Sequence, residues 1–168
     1  MMSRNLKTSI YSVLFFMAVA ASLRSIGNPV SPVEITNLRC EYLRDPYGID
    51  NPEPRFSWEL VSLQRGKMQQ YYRIIVSEDS ATLKDDVGEM WNSGKKKSGA
   101  TNQITYNGKL LTSGNVYYWK VKIWDEHNNE SGWSAIGHWS MGLLHKNDWK
   151  AKWIGSEPVL QATEQDRH

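Results

Sequence analysis

Three acidic pairs, Glu78-Asp79, Asp85-Asp86 and Asp125-Glu126, and four scattered histidines, His127, His138, His145 and His168, are the side chains best able to do acid–base chemistry. Two carboxyl groups can serve as general acid and general base when a substrate lies between them. Each acidic pair lies in polar, turn-like sequence, so solvated surface charge is the expectation and no catalytic residue is assigned. The histidines fit neither a nucleophile elbow nor a metal-ligand spacing. Asp125 to Glu130 is rich in oxygen donors yet lacks the D-x-D-x-D-G pattern of a calcium loop, so neither metal nor cofactor is expected. The single cysteine, Cys40, excludes an internal disulfide, a cysteine zinc cluster and a CxxC redox pair. It reads as a buried or partly buried free thiol.

Tryptophan offers a different chemistry, because an exposed aromatic face can stack on a sugar ring. In Tyr117-Tyr118-Trp119-Lys120-Val121-Lys122-Ile123-Trp124 a period of two places Tyr117, Trp119, Val121 and Ile123 on one face. Trp124 then points the opposite way and is the first candidate for a carbohydrate or interdomain contact. Trp133 is the second, with Lys120 and Lys122 available for cation–π contact on an outward face. Trp149 and Trp153 complete the set as residues expected to meet a following domain.

These side chains need strands to position them. Short candidates run over Val33 to Tyr42, Arg55 to Leu60, Gln70 to Val76, Met90 to Gly94, Gln103 to Tyr106, Val116 to Trp124 and Trp133 to Leu143, separated by turn signals. Asp45-Pro46-Tyr47-Gly48 and Asn107-Gly108 are such signals, since Pro sets φ and Asn-Gly tolerates positive φ. Lys95-Lys96-Lys97, between Ser93-Gly94 and Ser98-Gly99, reads as a solvated turn, and Ser80 to Gly88 has room for one helical turn. About seven antiparallel strands with alternating patterning indicate an all-β, immunoglobulin-like or fibronectin type III-like β-sandwich. Trp58 and Trp119 are expected in its core. Tyr117, just after Thr112-Ser113-Gly114, is expected to form a tyrosine corner, its hydroxyl bonded to backbone upstream.

The ends read differently from the middle. Met1 to Ser9 carries Arg4 and Lys7, and an apolar stretch from Ile10 to Ala21 precedes small residues, the pattern of a secretory signal peptide over residues 1–22. That stretch is short for a transmembrane helix, so export to the periplasm or outside the cell is expected, without stable membrane insertion after cleavage. A linker is expected over 23–32, the sandwich over 33–146, and over 147–168 a lead into a missing downstream domain with a truncated tail. Without Arg4 and Lys7 the 20 basic residues fall to 18, equal to the 18 acidic ones. A nucleic-acid partner is therefore not expected.

The order of landmarks carries a resemblance. Asn51-Pro52-Glu53-Pro54-Arg55-Phe56-Ser57-Trp58, Gln70 to Val76, Met90-Trp91-Asn92-Ser93-Gly94, Ile104 to Gly108, Tyr117 to Val121, Ser131-Gly132-Trp133-Ser134 and Trp149 to Ile154 follow one another. This series resembles the N-terminal fibronectin type III-like region of bacterial α-L-rhamnosidases of glycoside hydrolase family 78, over approximately Val33 to Gly155. The resemblance implies a non-catalytic accessory module whose partners are the downstream domains of a rhamnosidase and, alternatively, a rhamnose-containing glycan bound by exposed tryptophans. Family catalysis is by inversion in a helical barrel to which nothing in this chain corresponds. A corner role for Tyr117 predicts that Tyr117→Phe lowers the melting temperature; an unchanged melting curve removes the assignment.

Overall fold

The computed structural model describes residues 30–152 and 154. Two antiparallel sheets face one another. The smaller contains β1 (Glu34–Cys40), β2 (Arg55–Val61) and β6 (Ile104–Thr105), in the order β1-β2-β6. The larger contains β3 (Gln69–Ser77), β4 (Trp91–Asn92), β5 (Lys96–Lys97), β7 (Val116–Asp125) and β8 (Gly137–Ser140). Its order is β4-β3-β7-β8, with β5 on the same edge of β3 as β4. The signal-peptide span 1–22, most of the linker, Trp153 and the tail from 155 lie outside the described residues.

The core follows from the strand period. Tyr117, Trp119, Val121 and Ile123 of β7 are all buried, as are Ile74 and Val76 of β3 and Phe56 and Trp58 of β2. Phe56 reaches from the smaller sheet into the aromatic layer of the larger one, with its ring 4.4 Å from Trp119 and 5.3 Å from Trp139. Tyr117 stacks on Trp139 at 5.3 Å, and its hydroxyl accepts the Thr112 N–H at 2.8 Å, so the corner at Thr112 is tied to the strand it feeds. Trp58 donates its indole N–H to Gln69 at 3.0 Å, and the Gln69 amide in turn donates to the Ser98 and Ala100 carbonyls. Cys40 is buried, which raises its thiol pKa. At Gly137 any Cβ would come within 2.8 Å of the Trp119 indole, so only glycine lets β8 approach.

Three serines replace ladder acceptors where strands break. Ser93, Ser131 and Ser134 each donate their backbone N–H to a strand carbonyl, Ile74, Ile123 and Val121 respectively. The same three side-chain oxygens accept the N–H of Ile74 (2.8 Å), Ile123 (3.0 Å) and Val121 (3.1 Å). Each hydroxyl then donates to the next carbonyl in its own chain. Buried amides stay satisfied although the backbone departs from strand geometry. This is why the strand expected over Trp133 to Leu143 is regular only over Gly137–Ser140.

Two further expectations about the backbone need correction. Lys96–Lys97 is a strand, pairing Tyr72 and Tyr71, not a solvated turn. Two lysines carry no apolar pattern, but ladder pairing uses backbone groups and leaves their side chains in water. Residues 30–32, assigned to the linker, include Ser31, which is buried and donates its N–H to the Glu130 carbonyl at 2.8 Å. The helical turn is α1 (Ser80–Lys84), capped by Asp79, whose carboxylate accepts the Ala81 N–H. Its Leu83 is buried together with Ile75 on the outer face of β3. Phe56→Ala, which empties the seam between the sheets, should cost roughly 3–5 kcal/mol in urea unfolding.

Candidate functional site

Alternation along β3 and β7 creates the outer face of the larger sheet. Register pairs Tyr71 with Trp124, Arg73 with Lys122 and Ile75 with Lys120. Residues directly opposite one another share a face, so an aromatic pair, a cationic pair and an aliphatic–cationic pair succeed one another along it. Like charges opposed in this way repel. Trp133 relieves the repulsion. Its ring lies 5.7 Å from the Arg73 guanidinium, 4.8 Å from the Lys120 ammonium and 4.5 Å from the Lys122 ammonium. Two carboxylates complete the neutralisation, Asp86 on Lys120 at 2.6 Å and Glu130 on Lys122 at 2.5 Å. The Asp86 carboxyl is held below its ordinary pKa, first by the Lys120 ammonium. Trp133 Nε1 is buried and makes no hydrogen bond of ordinary geometry, although Asp86 lies close enough to feel it.

The candidate tryptophans thus separate. Trp133 is half-buried beneath cations rather than presented as an open platform. Trp124 is half-buried and, with Tyr71, lies under the Lys95 ammonium, at 4.4 and 4.7 Å. Trp149 is 55% exposed. It follows a 3-10 turn at Lys146–Asp148 whose Asp148 accepts from Ser113 at 2.5 Å, near the start of β7. Trp124 sits at the other end of that ten-residue strand, roughly 30 Å away along it. Tyr71 and Arg73 are not among the candidates read from the sequence, and Lys95 enters there only within the Lys95-Lys96-Lys97 turn. Their signal lay in the parity of β3, where Tyr71 and Arg73 oppose the inward Tyr72, Ile74 and Val76.

The acidic pairs also have structural partners. Asp125, expected at the solvated surface, is fully buried. Its carboxylate accepts the His127 and Asn129 N–H groups at 2.9 Å, the Asn129 amide at 3.1 Å, Ser31 Oγ at 3.2 Å and Lys67 Nζ at 3.3 Å. Burial by itself would raise its pKa. The Asn129 backbone and amide, the His127 N–H and Lys67 outweigh that effect and hold it at about 2. Glu126 is likewise lowered to about 2, chiefly by Lys67 at 2.8 Å. Asp125, Glu126 and His127 lie close enough together to share a cation, but the Lys67 ammonium already bridges both carboxylates. A groove of about 570 Å³ runs between β1 and residues 132–137, lined by Val33, Ile35, Asn37, Arg44, Trp133 and Ile136 among others.

The description "Rha78A-like, N-terminal immunoglobulin domain" matches residues 35–145. An α-L-rhamnosidase of Formosa agariphila is 40% identical over 146 residues, covering 86% of this chain and 15% of that protein. One from Streptomyces avermitilis is 34% identical over 131 residues, covering 78% and 12%. Among solved structures, the α-L-rhamnosidase of Dictyoglumus thermophilum superposes with a TM-score of 0.72 at 36% identity, over 78% of this chain and 14% of that one. That of Streptomyces avermitilis, complexed with L-rhamnose, gives 0.70 at 34%, over 74% and 12%. The chain therefore spans about 15% of the length of the relatives it matches.

Asp125 predicts a particular acid sensitivity. A carboxylate whose folded pKa is depressed stabilises the fold above its unfolded value and loses that contribution as pH falls through the folded one. Stability measured by urea denaturation should fall between about pH 4 and pH 2, and Asp125→Asn should flatten that part of the profile while lowering stability at pH 7.

Proposed function

The chain belongs to the family of Rha78A-like N-terminal immunoglobulin domains, and we propose that it is the non-catalytic N-terminal accessory module of an exported α-L-rhamnosidase acting on rhamnose-containing glycans. Its task in this reading is to position and stabilise the domains that follow it. The observation that carries the reading is the match of residues 35–145 to an N-terminal immunoglobulin domain, and three of the six paired acids named above are in addition engaged internally. Asp125 and Glu126 are bridged by Lys67, and Asp86 is paired with Lys120.

The exposed apolar residues at the C-terminal end support it further. Leu143 is 48% exposed, Trp149 55% and Ile154 99%, an arrangement suited to contact with a following domain. Export rests on the charged start, apolar run and small residues of positions 1–22. The names and coverage of the relatives support the rhamnosidase context, since each similarity takes in a small share of an α-L-rhamnosidase.

A graft tests the proposal. The corresponding N-terminal segment of the Formosa agariphila relative is deleted, or replaced by this chain, and both enzymes are compared by melting temperature and turnover of an aryl α-L-rhamnoside. The replacement should restore stability lost on deletion while the isolated chain turns over no substrate. A graft no more stable than the deletion, or turnover by the chain alone, would overturn the reading.

A further inference from the structure

We propose that the outer face of the larger sheet, at the junction of β5, β3 and β7, binds an acidic saccharide, with the Lys95 ammonium as the seat for a carboxylate and Tyr71 and Trp124, over whose rings that ammonium lies, as the aromatic side chains that hold the seat and flank the sugar. This does not rest on the accessory-module reading, because it concerns a surface complete within this chain.

Register brings the aromatic and basic residues together. Tyr71 lies opposite Lys97 on one side and Trp124 on the other, so Lys97, Tyr71 and Trp124 form a single row across three strands. Two interstrand steps of about 4.8 Å make that row roughly 10 Å wide, about the length of a disaccharide. Lys96, paired with Tyr72, points to the opposite side. The next row brings Arg73 and Lys122 to the same face.

The charge balance selects the ligand. Lys122 has Glu130 and Lys120 has Asp86. Among the described residues, no carboxylate lies within ion-pair distance of Lys95, Lys97 or Arg73. Lys95 is nonetheless held in place, by two aromatic faces and by donation to Asn128 Oδ1 at 2.6 Å. An exposed ammonium positioned by neutral partners is already organised for an anion, which lowers the entropic cost of binding. Aromatic rings beneath it favour a ligand that offers apolar C–H faces as well as negative charge, as a uronic acid does. A nucleic acid would call for a longer basic stripe.

Calorimetric titration of the purified chain with an oligomer of galacturonic acid, beside a neutral maltooligosaccharide of equal length, tests this. The acidic oligomer should bind saturably, more weakly as salt rises, and the neutral one should not. Lys95→Ala and Trp124→Ala should each weaken binding about tenfold or more. Lys95 is exposed, so its variant retains the fold, and circular dichroism checks Trp124→Ala, with Tyr71→Ala as its substitute. Two outcomes would sink the proposal. One is no saturable binding; the other is equally tight binding of dextran sulfate and single-stranded DNA with no loss on removing Trp124, which marks a nonspecific polyelectrolyte surface.

Discussion

The fold depends on burying one layer of aromatic rings between two sheets without a covalent crosslink. Phe56 carries this constraint, because its ring meets both Trp119 and Trp139 from the opposite sheet. With a single cysteine in the chain, the sheets are held by contact area and ring geometry. Edge-to-face and offset pairs contribute about 0.5–1.5 kcal/mol each beyond the area they bury. The closeness required explains Gly137, where β8 passes against the Trp119 indole. It also explains the tie between Tyr117 and Thr112, which fixes the strand carrying the layer's largest member.

A buried seam of this kind demands that every amide beside it be satisfied. The three serines at Ser93, Ser131 and Ser134 meet that demand where the chain leaves strand geometry. Their side-chain oxygens accept ladder amides that would otherwise be orphaned at a cost of about 1–3 kcal/mol each. The detours are useful. One carries the chain from β4 to β5 past Lys95, and the others hold Trp133 over the cationic column. Core satisfaction and surface chemistry are thus coupled through the same short segments.

The outer face shows how a repulsive pairing becomes usable. Arg73 and Lys122 oppose one another across the ladder, and the π-face of Trp133 with the carboxylates of Asp86 and Glu130 absorbs most of that charge. Neutralisation stops short of Lys95, so the face grades from a sealed, ion-paired end to an open, cationic and aromatic one. At the end of β7 the buried Asp125 anchors Ser31, Lys67 and the following turn together.

Much of this was legible in residue order. The period of two along Tyr117 to Trp124 and along Tyr72 to Val76 separated inward from outward residues, and the turn residues between strands delimited the sandwich. Ser131-Gly132-Trp133-Ser134 marked a special segment, and Trp133 was matched with Lys120 and Lys122. Local periodicity reports which way a side chain points, and it does so without knowledge of neighbours. What surrounds that side chain is decided by chains distant in sequence. Asp125 looked solvated because its own neighbours are polar, yet Ser31 and Lys67 enclose it. Lys96–Lys97 looked like a turn because strand pairing through the backbone leaves no trace in side-chain type. The sequence by itself determined the longer strands, their faces and the family. Only the tertiary structure decided which charges are neutralised and which remain open, because that depends on registers between β3, β5 and β7 that no local pattern encodes.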